Sequence, residues 1–160
     1  MPNPLNSIDI RILNELQKDG KITNVELASR VGLSPSPCLA RVKAMERSGL
    51  IRGYVALLDP GAIGPTIDVF IQVTLERQTE AALEAFEKSV LELPEVMECF
   101  LMSGDSDYML RVLVRDTHAL KDFILEKLST TKGVATIRSS FALNKIKYKT
   151  AIPVAQLLGQ

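Results

Sequence analysis

The sequence predicts an α+β chain in two parts, a winged helix-turn-helix domain followed by a ferredoxin-like βαββαβ domain. Three observations carry this. Apolar residues recur at helical spacing through the first fifty positions. A turn-rich stretch from Asp59-Pro60-Gly61 to Gly64-Pro65 then interrupts the chain. Beyond it, alternating and helical segments follow one another in the order β-α-β-β-α-β. The expected limits are 1–52 for the first domain, 53–65 for a strand and linker, and 66–160 for the second domain.

Ser7 is the expected N-cap of a first helix, which carries Ile8, Ile12, Leu13 and Leu16 at helical spacing and stops at Asp19-Gly20. Thr23-Asn24-Val25-Glu26 reads as a capping box, in which the Thr23 hydroxyl and the Glu26 carboxylate satisfy each other's backbone donors. The helix it opens offers Val25, Leu27, Ala28 and Val31 for burial and ends at Gly32.

A third helix begins in SPSPCLARVK. The first turn of a helix has N–H groups without internal acceptors, so Pro35 and Pro37 are tolerated there and Ser34 or Ser36 serves as N-cap. At 100° per residue, Leu39, Val42 and Met45 share one face. Ser36, Ala40, Lys43, Ala44 and Arg47 lie opposite, with Arg41 at the boundary. Ser48-Gly49 stops the helix. Residues 50–58 then read as a strand, the wing.

In the second part, Asp68–Leu75 alternates as a strand and Glu80–Leu93 is helical, with Leu83, Phe86, Val90 and Leu93 on one side. Val96–Met102 and Tyr108–Val114 read as strands joined through Gly104-Asp105-Ser106-Asp107. Thr117 caps a helix with Leu120, Phe123, Ile124 and Leu128 inward, and residues 134–148 form a last strand. Such a sheet carries helices on one face only. Val69, Ile71 and Val73, or their neighbours, are left on the other, so self-association is expected.

Composition narrows the function. The chain has 160 residues, 46% hydrophobic and 24% charged, in the range of globular proteins. Its start, MPNPLNSIDI, lacks a basic region before an apolar run, and no later apolar run reaches membrane-spanning length, so a cytoplasmic protein is expected. Cys38 and Cys99 stand far apart with one histidine, His118, in the chain. Neither a zinc site nor a disulfide framework is indicated, and two buried or half-buried free thiols are expected. The net charge of zero divides into +2 over residues 1–60 and −2 over residues 61–160.

The outer face of the third helix is basic and small-sided, and its first turn exposes N–H groups. This suits phosphate contact and entry into a major groove. The candidate DNA-binding residues are Ser34, Ser36, Pro37, Arg41, Lys43 and Arg47. The plainer alternative is a solvated face or a protein-docking surface. For the hairpin, Gly104 permits close backbone approach to an anion, Asp105 and Asp107 suit an ammonium, and Met102 and Tyr108 offer apolar wall. Hairpin chemistry alone also favours Gly and Asp there. Two carboxylates beside a turn also suit acid–base or magnesium chemistry, but no histidine, cysteine or phosphate loop accompanies them, so no catalytic residues are assigned. Lys145, Lys147 and Lys149 alternate as on an edge strand, and His118 reads as solvated.

The runs LSPSPCLARVKAMERSGLIRGY, PEVMECFLMSGDSDYMLRV and GVATIRSSFALNKIKYKT resemble the Lrp/AsnC, or feast/famine, family of transcription regulators, from Ile8 to about Pro153. Within it the chain looks closest to members controlling branched-chain keto acid and amino acid catabolism. The resemblance implies a DNA-binding, nucleoid-associated regulator that binds a double-stranded operator and forms dimers and then octamers, with a free amino acid between dimers. It implies Met102, Ser103, Gly104, Asp105, Asp107 and Tyr108 on one side of that pocket, and Ser140 from another subunit. An apolar effector such as leucine or methionine is expected, with no other cofactor and no metal. Ala40 stands where many relatives carry a longer polar residue, which bears on the operator sequence.

Overall fold

The computed structural model describes residues 5–159 of the 160. The expected domain limits at 1 and 160 therefore lie outside the described residues. The described residues form two compact units, one holding those up to Leu57 together with those from Lys147 onward, the other Leu58–Ile146.

In the first unit, α1 (Ser7–Lys18), α2 (Asn24–Val31) and α3 (Pro35–Arg47) pack around Ile12, Leu27, Val31, Cys38, Val42 and Met45. Asn6, not Ser7, is the cap of α1. Its side chain accepts from the N–H groups of Ile8 and Asp9, and Asp9 returns the bond to the Asn6 N–H. At α2 only half of the expected box forms, because Thr23 accepts from the Glu26 N–H while the Glu26 carboxylate turns to Arg30. Val25 is exposed rather than buried, since it sits in the first turn of α2 on the solvent side. Gly32 closes α2 at φ +70°, a left-handed conformation that glycine adopts without a Cβ penalty. The turn to α3 is therefore sharp.

Two expectations fail here. Residues 50–58 form no strand: the segment joins no sheet among the described residues, and a strand exists only where a neighbour supplies ladder hydrogen bonds. The expected 66–160 domain also loses its end. A short helix α7 (Val154–Leu157) packs on α1 and buries Val154 in the helical core. Gln17 clasps this return, donating from Nε2 to the Ile152 carbonyl (3.2 Å) while its Oε1 accepts from the Ile152 N–H (2.7 Å).

The second unit opens with a single helical turn, α4 (Pro60–Ile63), capped by Asp59. It continues as β1 (Ile67–Leu75), α5 (Glu80–Leu91), β2 (Val96–Leu101), β3 (Tyr108–Val114), α6 (Thr117–Asp122) and β4 (Val134–Phe141). Residues 123–128 continue α6 as a π-helical turn, and Asp116 rather than Thr117 caps it. The sheet order β2-β3-β1-β4, antiparallel throughout, is the ferredoxin-like arrangement. The last strand ends at Phe141, so Lys145, Lys147 and Lys149 are not on an edge strand; Lys145 instead pairs with Asp68 at 3.1 Å.

Strand alternation decides which face each residue serves. Val69, Ile71, Val73, Tyr108, Leu110 and Val112 are buried with Phe86, Val90, Leu120, Phe123 and Leu128 of the helices. Burying each large apolar side chain contributes about 1.5–3 kcal/mol. Their neighbours take the open face. Cross-strand partners place Asp68, Phe70, Gln72 and Thr74 beside Met109 and Arg111 on one side and Thr136, Arg138 and Ser140 on the other.

Candidate functional site

Helix α3 is held from below. Cys38, Val42 and Met45 are buried, while Leu39, expected on this face, is 40% exposed, because the helix rolls until Cys38 enters the core. Ser34, Ser36, Pro37, Ala40, Lys43, Ala44 and Arg47 are all exposed. Ser34 occupies the cap position but makes no side-chain capping bond, so its hydroxyl is not committed to the helix; Pro35 follows at the first position. The Asn24 amide donates to the Pro35 carbonyl (2.9 Å) and fixes the start of α3 against α2. Arg41 turns inward, its Nη1 donating to Asp9 Oδ1 at 2.8 Å. Of the expected basic residues, Lys43 and Arg47 face outward, and Arg41 ties α3 to α1.

The β2–β3 connection is fastened to the end of β1. The Asp107 N–H donates to the Val73 carbonyl (3.0 Å), and the Met102 N–H to the Asp107 carbonyl (2.8 Å). The buried Asp107 carboxylate accepts from the Leu75 N–H (2.7 Å) and from Gln78 Nε2 (2.6 Å). Tyr108 enters the core, where its ring lies 4.5 Å from that of Phe86 and its hydroxyl donates to Glu87 Oε1 (2.9 Å). Burial first, and then the Glu87 carboxylate, push the Tyr108 phenol far above its ordinary pKa, so it stays protonated. Asp107 and Tyr108, expected to line a pocket, serve the hairpin's own structure in this chain.

Gly104, at φ +139°, Asp105 and the half-buried Ser106 remain at the loop tip, with Met102 and Ser103 exposed beside them. Below the tip a cavity of about 220 Å³ opens on the free sheet face, lined by Gln72, Thr74, Asp105, Ser106, Thr136 and Arg138. Ser140 shares that face but stands opposite Phe70, away from this lining. A larger groove of about 310 Å³, lined by Thr117, Leu120, Lys121, Ile124, Leu125 and Phe141, offers no acidic group for an ammonium. Among the described residues no cluster of side chains suits a metal ion.

Sequence reasoning missed Gln72, Thr74, Ser106, Thr136 and Arg138. A signal was present in part: Thr136, Arg138 and Ser140 alternate along one strand, so any one of them on a free face implies the others. Which of the three reaches the hairpin depends on the register of β4 on β1.

A small exposed helix with outward cations and a separate sheet domain holding a polar cavity define a DNA-binding regulator with a ligand-binding module. The comparisons agree. Residues 5–52 match the family model for winged helix-turn-helix DNA-binding, and residues 68–152 match that for the Lrp/AsnC ligand binding domain. The chain belongs to the Lrp/AsnC family of transcriptional regulators. It is a DNA-binding transcription regulator responsive to a small amino acid, and not an enzyme.

Over 150 residues it is 44% identical to the leucine-responsive regulatory proteins of Klebsiella pneumoniae and Escherichia coli K12, across 94% of this chain and 92% of theirs. A Neisseria meningitidis transcriptional regulator solved with L-methionine superposes with a TM-score of 0.90 at 43% identity, covering 96% of this chain and 99% of that one. An AsnC family regulator from Agrobacterium tumefaciens does so with the same score and coverage at 37% identity. No described helix is long and apolar enough to cross a membrane.

Proposed function

We propose that this protein is a cytoplasmic, nucleoid-associated, sequence-specific regulator of amino acid metabolism genes, whose DNA binding or assembly responds to an apolar amino acid bound between dimers. The observation that carries the DNA half is the outer face of α3. Its cations and first-turn serines are exposed while Cys38, Val42, Met45 and the Arg41–Asp9 pair hold the helix in place. Ser34, Ser36, Pro37, Lys43 and Arg47 contact the operator, and Arg41 positions the helix for them.

Leucine or methionine is the effector class. The names of the leucine-responsive relatives and the L-methionine complex of the Neisseria regulator support it. The loop Met102, Ser103, Gly104 and Asp105 supplies one side of the pocket, Asp107 and Tyr108 anchor that loop from behind, and Ser140 contributes from a second subunit. The open sheet face, with Phe70 and Met109, supports assembly into dimers and, through them, octamers.

The test is a thermal-shift screen of the twenty amino acids on the full chain. A ligand that binds only the folded protein raises its melting temperature by mass action. A response confined to a few apolar amino acids is expected. No response at millimolar concentration would leave a DNA-binding protein without an amino acid effector.

A further inference from the structure

Helix α3 turns few hydrogen-bonding groups outward for a surface that meets base edges. It contains no asparagine or glutamine, the side chains that pair with an adenine edge through two bonds. Arg41, whose fork would suit guanine, is held by Asp9 at 2.8 Å. Glu46, which would suit cytosine, accepts instead from the Tyr54 hydroxyl at 3.1 Å. Arg47 stands in the last turn, whereas the N-terminal part of such a helix is what reaches the bases.

That front half presents carbon instead. Pro37, Leu39 and Ala40 are all exposed there beside Ser36. Ala40 lies in the middle of the outer face, one turn from Ser36 on one side and from Ala44 on the other. Leu39 lies one turn from Pro35, whose carbonyl accepts from Asn24 of α2, so the two share the flank toward α2. Arg41 occupies the opposite flank, toward Asp9 of α1. Leu39 keeps 40% of its surface in solvent because Cys38 takes the core position next to it.

The major groove displays one apolar substituent, the C5 methyl of thymine, among hydrogen-bond donors and acceptors. An apolar side chain laid on a donor or acceptor strips it of water and leaves it unpaired, which is costly. Laid on a methyl group, it removes apolar surface from water on both partners. Resting on the reading that the outer face of α3 contacts the operator, we propose that Leu39 and Ala40 are specificity residues for thymine, each meeting the C5 methyl of one base. Thymines at two positions of each half-site thereby specify the operator, and Lys43 and Arg47 supply the attraction to phosphate around them.

The experiment starts from duplexes that the full chain enriches from a randomised pool. In an enriched duplex each thymine is replaced in turn by uracil, which keeps the base pair and the O4 acceptor and removes only the methyl. Affinity is read by fluorescence anisotropy. Uracil at two positions of each half-site is expected to weaken binding about fourfold apiece, the scale of one methyl group taken out of water. Leu39→Ala should abolish the loss at one of these positions and Ala40→Ser at the other. Arg47→Ala should lower affinity for thymine and uracil duplexes alike. All three positions are exposed, and unaltered circular dichroism and oligomer mass confirm folding.

If uracil changes nothing at any position, α3 reads other groups, and the inference falls while DNA binding stands. If the uracil loss persists at full size in both variants, it comes from the shape of the duplex, and the inference falls as well. If the chain enriches no duplex from the pool, the sequence-specific reading of α3 fails and carries the inference with it.

Discussion

Asp107 shows how a residue type suited to a ligand can be claimed by its own fold. Its carboxylate is buried and accepts two hydrogen bonds across 32 and 29 residues of sequence. Asp107→Ala would leave the Leu75 N–H without its partner, at a cost of about 1–3 kcal/mol. The denaturant midpoint should fall with an unchanged m-value. At Asp68, burial by itself would raise the carboxyl, but the hydrogen bonds from Arg111 and Lys145 outweigh it and hold the pKa below the usual aspartate value. A depressed folded-state pKa stabilises above the unfolded-state value and is lost as pH falls through the folded one. Asp68→Asn should therefore be less stable than wild type at pH 7, and the gap should close in acid below about pH 4. Equilibrium urea titrations at pH 7 and in that acid range check it.

At the level of elements, α3 divides its work between its two faces. Lys43→Ala and Arg47→Ala leave the buried face untouched, so the fold and oligomer mass should stay as they are while DNA affinity falls. Each lost phosphate contact should reduce the slope of log affinity against log salt by about one. Fluorescence anisotropy across a salt series separates this from unfolding. Arg41→Ala should act differently, loosening α3 from α1 and lowering both stability and DNA affinity. The two prolines at the front of α3 were readable in the sequence because their missing N–H groups fit only a first turn. The roll that buries Cys38 and exposes Leu39 was not, because both residues suit an apolar face and only the packing against α2 chooses between them.

For the whole molecule, the open sheet face is the feature most in need of a partner. Phe70 is 40% exposed and Phe100 52%, on either side of Met109. Phe70→Glu places a charge on this face without touching the core beneath, and should lower the mass measured by light scattering toward the monomer. The effector can shift assembly only through a difference in affinity between arrangements. L-Methionine or L-leucine should therefore change the oligomer distribution and the DNA affinity together.

The sequence by itself determined the three helices of the first unit, the β-α-β-β-α-β order of the second, the turn between α2 and α3, and the basic outer face of α3. These follow from local chemistry: periodicity, caps, prolines and glycines act within a few residues. Tertiary structure alone decided that the segment from residue 147 onward returns to the helical unit, that residues 50–58 join no sheet among the described residues, and that Thr136 and Arg138 rather than Ser140 meet the hairpin. Each depends on strand register or on packing between residues far apart in the chain. Local pattern specifies which side chains share a face, while only the assembled sheet specifies what stands across from them.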